Sequence, residues 1–197
     1  MKKIISIFMT SLCLISNLNP ALALDKNNTI EDYQAIIEEI NHDYNAELYI
    51  LDSKEFDNSE IKDMYDDYNA YLNNMLSTDL ADFKMQCIEL ANIESEVSCD
   101  IELSGKERST LGTKTLTFYT GRNTMKLTYK YTGSKFDTSY KPTATVKKLN
   151  STNYFSMTSY TGSFKNSNST YSVVASGKIY TNYGIVNNQK FTVNFNL

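Results

Sequence analysis

Apolar residues recur along this chain in two different rhythms. From Ile30 to Leu90 they return every three or four positions, the period of a helix with one buried face. Ile30, Tyr33, Ile36, Ile37, Ile40 and Tyr44 form a first stripe. Asn28 or Thr29 stands at its cap, and Glu31 and Asp32 lie in the first turn, where carboxylates suit the helix dipole. Ile61, Met64, Tyr65, Tyr68, Leu72, Met75 and Leu76 form a second stripe, entered through Asn58 or Ser59. Ser77-Thr78-Asp79 restarts the pattern for a third stripe of Leu80, Phe83, Cys87 and Leu90. Between the first two, Glu47 to Leu51 alternates briefly and reads as a lone strand or extended chain. Neither Gly nor Pro occurs from Asp25 to Leu103, which suits a small helical bundle.

Beyond Lys114 the period falls to two. In Phe191-Thr192-Val193-Asn194-Phe195-Asn196-Leu197 the odd positions are apolar and the even ones polar, the signature of a half-buried strand. Similar alternation predicts strands over 114–120, 124–132, 143–149, 153–160, 170–180 and 190–197. Tyr-Thr-Gly recurs at Tyr119, Tyr131 and Tyr160, and these triplets are expected to close hairpins because Gly accepts positive φ. The expectation is an α+β protein. About three helices in an acidic domain over 24–103 precede a Gly-containing linker at 104–113. A basic, antiparallel, β-sandwich-like domain follows over 114–197.

The N-terminus changes where this protein is expected to act. Lys2 and Lys3, the apolar run from Ile4 to Ile15 and the small residues Ala21-Leu22-Ala23 read as a signal peptide over 1–23. The product is expected to be secreted, extracellular and associated with a bacterial cell surface, with no transmembrane span after cleavage. The Asn-, Lys-, Ile- and Tyr-rich composition fits an AT-rich bacterial genome. Cys87 and Cys99 are then the cysteines that remain. An even count in an exported chain predicts one disulfide, worth about 3 kcal/mol for a loop of this size.

Charge is divided as sharply as hydrophobic period. Residues 25–103 hold 21 acids and four lysines, whereas residues 104–197 hold 13 Lys plus Arg and only Glu107 and Asp137 as acids. The overall formal charge of −4 conceals this contrast. Either the halves neutralise each other, or the basic half contacts an external polyanion: a wall teichoic acid, anionic lipid head groups, extracellular DNA or acidic polysaccharide. Lys126, Lys130, Lys147 and Lys148 are the candidate anion-binding residues, interleaved with strand tyrosines. The expected function is non-enzymatic binding or adhesion through the β half. An alternative is an acidic helical half that docks a cationic protein, and a wall or glycan hydrolase ranks last. Nucleic acid ranks below cell-wall polymer as partner.

Signals for catalysis and metals are weak. His42 is the sole histidine, too few for the usual multi-His zinc site, and no Gly-x-Ser-x-Gly motif accompanies it. Asp57, Glu60, Asp63, Asp66 and Asp67 cluster without the Gly that a calcium loop uses for its sharp turn, and read as a solvated helix face. No cofactor, metal or catalytic residue is expected. No motif ties the chain to a known family.

Overall fold

A computed structural model describes residues 28–103 and 109–197. The expected signal peptide lies outside the described residues, as does the 104–108 part of the expected linker. Helices come first and two sheets follow, antiparallel in all but one pairing, the α+β arrangement read from the pattern. In chain order the elements are α1 (Ile30–Tyr44), β1 (Leu48–Tyr49), α2 (Ser53–Asp57), a 3-10 turn at Glu60–Met64, α3 (Tyr68–Leu76) and α4 (Leu80–Ala91). Then come β2 (Glu96–Asp100), β3 (Thr110–Phe118), β4 (Asn123–Thr132), β5 (Lys135–Phe136), β6 (Thr143–Lys148), β7 (Tyr154–Lys165), β8 (Thr170–Tyr180) and β9 (Val186–Asn196).

The helices start where carboxylates cap them. The Asp52, Asp67 and Asp79 side chains accept from the backbone N–H groups of Glu55, Ala70 and Ala81 at 2.7–2.8 Å. Asp32 accepts from the Thr29 N–H at the start of α1 at 2.8 Å. The expected second helix is not continuous. Tyr65 is extended, with φ −137° and ψ 145°, so the chain leaves the 3-10 turn and re-enters a helix only at the Asp67 cap. This break lets the Tyr65 hydroxyl reach across to the Asn182 carbonyl at 3.0 Å.

The five-stranded sheet runs β1-β9-β8-β7, with β2 also on β9; the four-stranded sheet has β4 at its centre, β3 on one side and β5 and β6 on the other. Their facing sides make the sandwich core. Phe118, Met125, Leu127 and Tyr129 meet Phe155, Val173, Ala175, Phe191, Val193 and Phe195, all nearly inaccessible to solvent. Phe118, Phe155 and Phe191 pack edge to face at 4.9–5.9 Å between centroids. Asn123, wholly buried, ties the two layers together: its side-chain amide donates to the Phe155 carbonyl and its oxygen accepts from the Phe155 N–H, both at 2.8 Å.

The two halves of the chain share this architecture. β1 pairs antiparallel with β9, and β2 lies parallel to it, Glu96 to Asp100 alongside Thr192 to Asn196. The buried residues of α1 and α4 belong to the same cluster as the sandwich core. Leu51, Phe56, Ile61 and Tyr71 form a second cluster with Tyr154, Tyr180 and Val186, so α2 and α3 cover one end of the outer side of the five-stranded sheet. Tyr71 is the pin of this contact. Its buried hydroxyl accepts from the Leu51 N–H at 3.0 Å and donates to the Gly184 carbonyl at 2.7 Å.

Three expectations give way. The linker was expected to extend to 113, but Thr110 to Thr113 already pair with β4. The Tyr-Thr-Gly triplets at Tyr119 and Tyr131 do sit at hairpin turns, with positive φ at Gly121 and Gly133. The triplet at Tyr160 does not: it lies inside β7. Gly162 is there for space, because a Cβ at that position would fall inside the ring and hydroxyl of Tyr171. The expected disulfide is absent as well. Cys87 and Cys99 are free thiols, the first buried on the apolar side of α4 and the second half-buried on β2 beside Phe195. Burial pushes the Cys87 thiol up to about 12, and it behaves as a core side chain.

Candidate functional site

The helices cover parts of the five-stranded sheet and leave the outer face of the four-stranded sheet open. Register fixes what that face carries. On β4 the inward residues are Met125, Leu127, Tyr129 and Tyr131, so Thr124, Lys126, Thr128, Lys130 and Thr132 point outward. Their paired neighbours share the face: Leu111, Thr113, Thr115 and Thr117 on β3, Lys135 on β5, and Thr143, Thr145 and Lys147 on β6. All of these are exposed or half-exposed. The face is therefore a plane of threonines studded with Lys126, Lys130, Lys135 and Lys147, and no carboxylate points from these strand positions.

The lysines are spaced so as not to oppose one another. Lys126 lies between Thr115 and Thr145, Lys130 lies opposite Leu111, and Lys147 lies opposite Thr124. Directly opposed like charges destabilise a sheet, and this register avoids them. Lys126 and Lys130 are four residues apart on one strand, about 13 Å at an antiparallel rise. Lysines often guard sheet edges against pairing with other chains. That role does not explain Lys126 and Lys130, which stand on the central strand: Lys126 is paired on both sides, and Lys130 is paired with Leu111 on one side while its carbonyl accepts from the Asp137 N–H on the other.

Of the four lysines singled out in the sequence, the face brings together Lys126, Lys130 and Lys147. Lys148 is elsewhere. Alternation turns it to the opposite side of β6, where its ammonium lies 3.5 Å from the Glu60 carboxylate and 4.4 Å from the centre of the Tyr154 ring. Glu60 also accepts from the Ser156 hydroxyl at 2.6 Å. This Lys148–Glu60 pair is the single ion pair between the acidic and basic halves among the described residues. The halves are held together by apolar burial and by tyrosine and asparagine hydrogen bonds rather than by charge. Lys135 is not among the four lysines singled out from the sequence; its pairing with Thr132 is what adds it to this face.

The remaining candidates have local explanations. His42 is exposed, with Nδ1 3.0 Å from the Asp43 carboxylate. Among the described residues no three His, Cys, Asp or Glu side chains are grouped so as to hold a metal. Many acids have structural partners: Asp52, Asp67 and Asp79 at helix caps, Glu39 on Lys84 at 2.7 Å, Glu96 on Asn194 and Asp100 on Asn196. No helix of the described residues is long and apolar enough to cross a membrane.

No family model matches the chain, and no curated protein matches it in sequence. A solved two-domain protein of unknown function from Bacteroides thetaiotaomicron is similar over 70% of this chain and 66% of its own length, at 14% identity and a TM-score of 0.30. A likeness this slight carries no argument about what either protein does.

Proposed function

We propose that this is an exported, non-enzymatic binding protein that engages an anionic polymer at a bacterial cell surface through the outer face of the four-stranded sheet. One observation carries the reading: Lys126, Lys130 and Lys147 share an open face with rows of threonine hydroxyls and no strand-borne carboxylate. Hydroxyl-rich and built on paired strands, such a face meets an extended polymer along its length. The ammoniums supply attraction and the hydroxyls supply short hydrogen bonds to acidic oxygens. The reading in which the acidic half docks a cationic partner has less support, because many of those acids already cap helices or bind neighbouring side chains.

The test is cosedimentation of the chain 28–197 with purified anionic cell wall across a salt series. Isolated 104–197 is the wrong reagent, because it lacks β1, β2 and the helices that cover buried Tyr154, Tyr180 and Val186. Retention at low ionic strength that is lost as salt rises is the expected result. Absence of retention at every salt concentration rejects the proposal.

A further inference from the structure

A cleft of about 640 Å³ lies between the β5–β6 connection and β7, and its Tyr140 is the ring that Lys130 of the lysine face approaches. That volume lies within the range of roughly 300–1,000 Å³ typical of small-molecule sites. Tyr140, Tyr160 and Phe164 line it as half-exposed rings over buried Tyr171. The rings are held from behind. Tyr171 packs on Phe164 at 5.0 Å and on Phe136 at 6.0 Å, and the Tyr160 hydroxyl accepts from the Ala144 N–H at 3.2 Å. The connection that carries Tyr140 is fixed too. The Asp137 N–H donates to the Lys130 carbonyl at 2.9 Å, and Asp137 in turn accepts from the Ser139 N–H and hydroxyl.

Charge connects the cleft to the face. The Lys130 ammonium sits 5.3 Å from the centre of the Tyr140 ring, and Lys141 is exposed at the rim. Thr138, Ser139 and Thr161 add hydroxyls around the opening. The only carboxylate in this loop, Asp137, is engaged by Ser139 and Ser109. We infer that the Tyr140–Tyr160–Phe164 cleft receives a sugar ring of an acidic polysaccharide, whose carboxylates lie against Lys130 and Lys141. The inference rests on the polyanion-binding reading above and narrows it. Flat rings stack on the apolar face of a pyranose, hydroxyls match its rim, and the adjacent cations match a charge on every residue. A polyphosphate satisfies the lysines and leaves the rings unused.

Binding of the chain 28–197 to polygalacturonate, inorganic polyphosphate, dextran and single-stranded DNA is measured at one ionic strength, with Tyr140→Ala, Tyr140→Phe and Lys126→Gln/Lys147→Gln variants. Tyr140→Ala is expected to weaken polygalacturonate about tenfold, the scale of one lost ring-stacking contact, and to leave polyphosphate unchanged. Tyr140→Phe, which keeps the ring, restores wild-type affinity, and the double lysine variant weakens both polyanions. Equal effects of Tyr140→Ala on polygalacturonate and polyphosphate, or no effect on either, overturn the cleft assignment. So does Tyr140-dependent binding of single-stranded DNA that is tighter than that of polygalacturonate. Tight polyphosphate binding with polygalacturonate no better than dextran overturns the cleft alone and leaves the lysine face standing. Failure of both polyanions to bind overturns both.

Discussion

Replacing Tyr71 by Phe removes one oxygen atom and tests how the helical and β halves are joined. The ring is fully buried, among Phe56, Tyr65 and Tyr68 at 5.5–5.7 Å, and Phe keeps those contacts. What is lost is the hydroxyl between the Leu51 N–H and the Gly184 carbonyl. Both groups then stay buried without that partner. An unsatisfied buried polar group costs about 1–3 kcal/mol. With some relaxation of the β8–β9 turn, the total comes to about 2–3 kcal/mol. For a chain of this size that is a fall in melting temperature of roughly 5–10 °C. The assay is urea and thermal unfolding of the chain 28–197, followed by far-ultraviolet circular dichroism for helix and by tyrosine fluorescence. Tyr44→Phe serves as control, at a ring 41% exposed, where a change below about 0.5 kcal/mol is expected. The shared core predicts that both signals move together in a single transition. A loss under about 0.5 kcal/mol for Tyr71→Phe, or a helical transition separate from the β transition, refutes the reasoning.

Alkylation of the purified chain 28–197 in denaturant is expected to label both Cys87 and Cys99 without reductant, and in the native state Cys99 reacts first; a mass that shifts only after reduction contradicts the free thiols. Gly162→Ala forces the Tyr171 ring from its seat and is expected to cost about 1–3 kcal/mol in thermal unfolding; an unchanged melting temperature contradicts the packing. Hydrogen bonds from Ser139 and Ser109, with Lys130 nearby, hold Asp137 below the ordinary carboxylate value of 3.8. A depressed acid contributes stability above its unfolded value and loses it as pH falls through its folded value, so the Ser139 amide resonance is expected to shift with a midpoint below 3.8. Movement centred above that value contradicts the bonded loop.

Alternation made much of this fold legible. β4 was visible residue by residue because every second position is apolar, and that parity alone assigns Lys126 and Lys130 to one outer face. The same parity separates Lys147 from Lys148, so grouping all four lysines overlooked information already in the sequence. β2 stayed hidden for a physical reason. Glu96-Val97-Ser98-Cys99-Asp100 offers two modest apolar residues, and its strand character comes from parallel pairing with a partner far along the chain. The break at Tyr65 carries no Gly or Pro, and it accompanies a long-range hydrogen bond from the tyrosine to the Asn182 carbonyl that no local pattern announces. The disulfide expectation rested on an even count of cysteines, which says nothing of where α4 and β2 place them. The cleft joins one connection and two strands, and such convergence follows from the fold rather than from local pattern.

The most direct measurement compares two triple variants of equal charge in binding to an immobilised anionic wall polymer at low ionic strength. One is Lys126→Gln/Lys130→Gln/Lys147→Gln on the open face. The other is Lys148→Gln/Lys165→Gln/Lys190→Gln, elsewhere in the same basic half. At about 1 kcal/mol per lysine near an anionic surface, the face variant is expected to lose about a hundredfold in affinity and the control severalfold at most. Equal losses in the two variants would mean that net charge, not this face, governs binding, and would contradict the account.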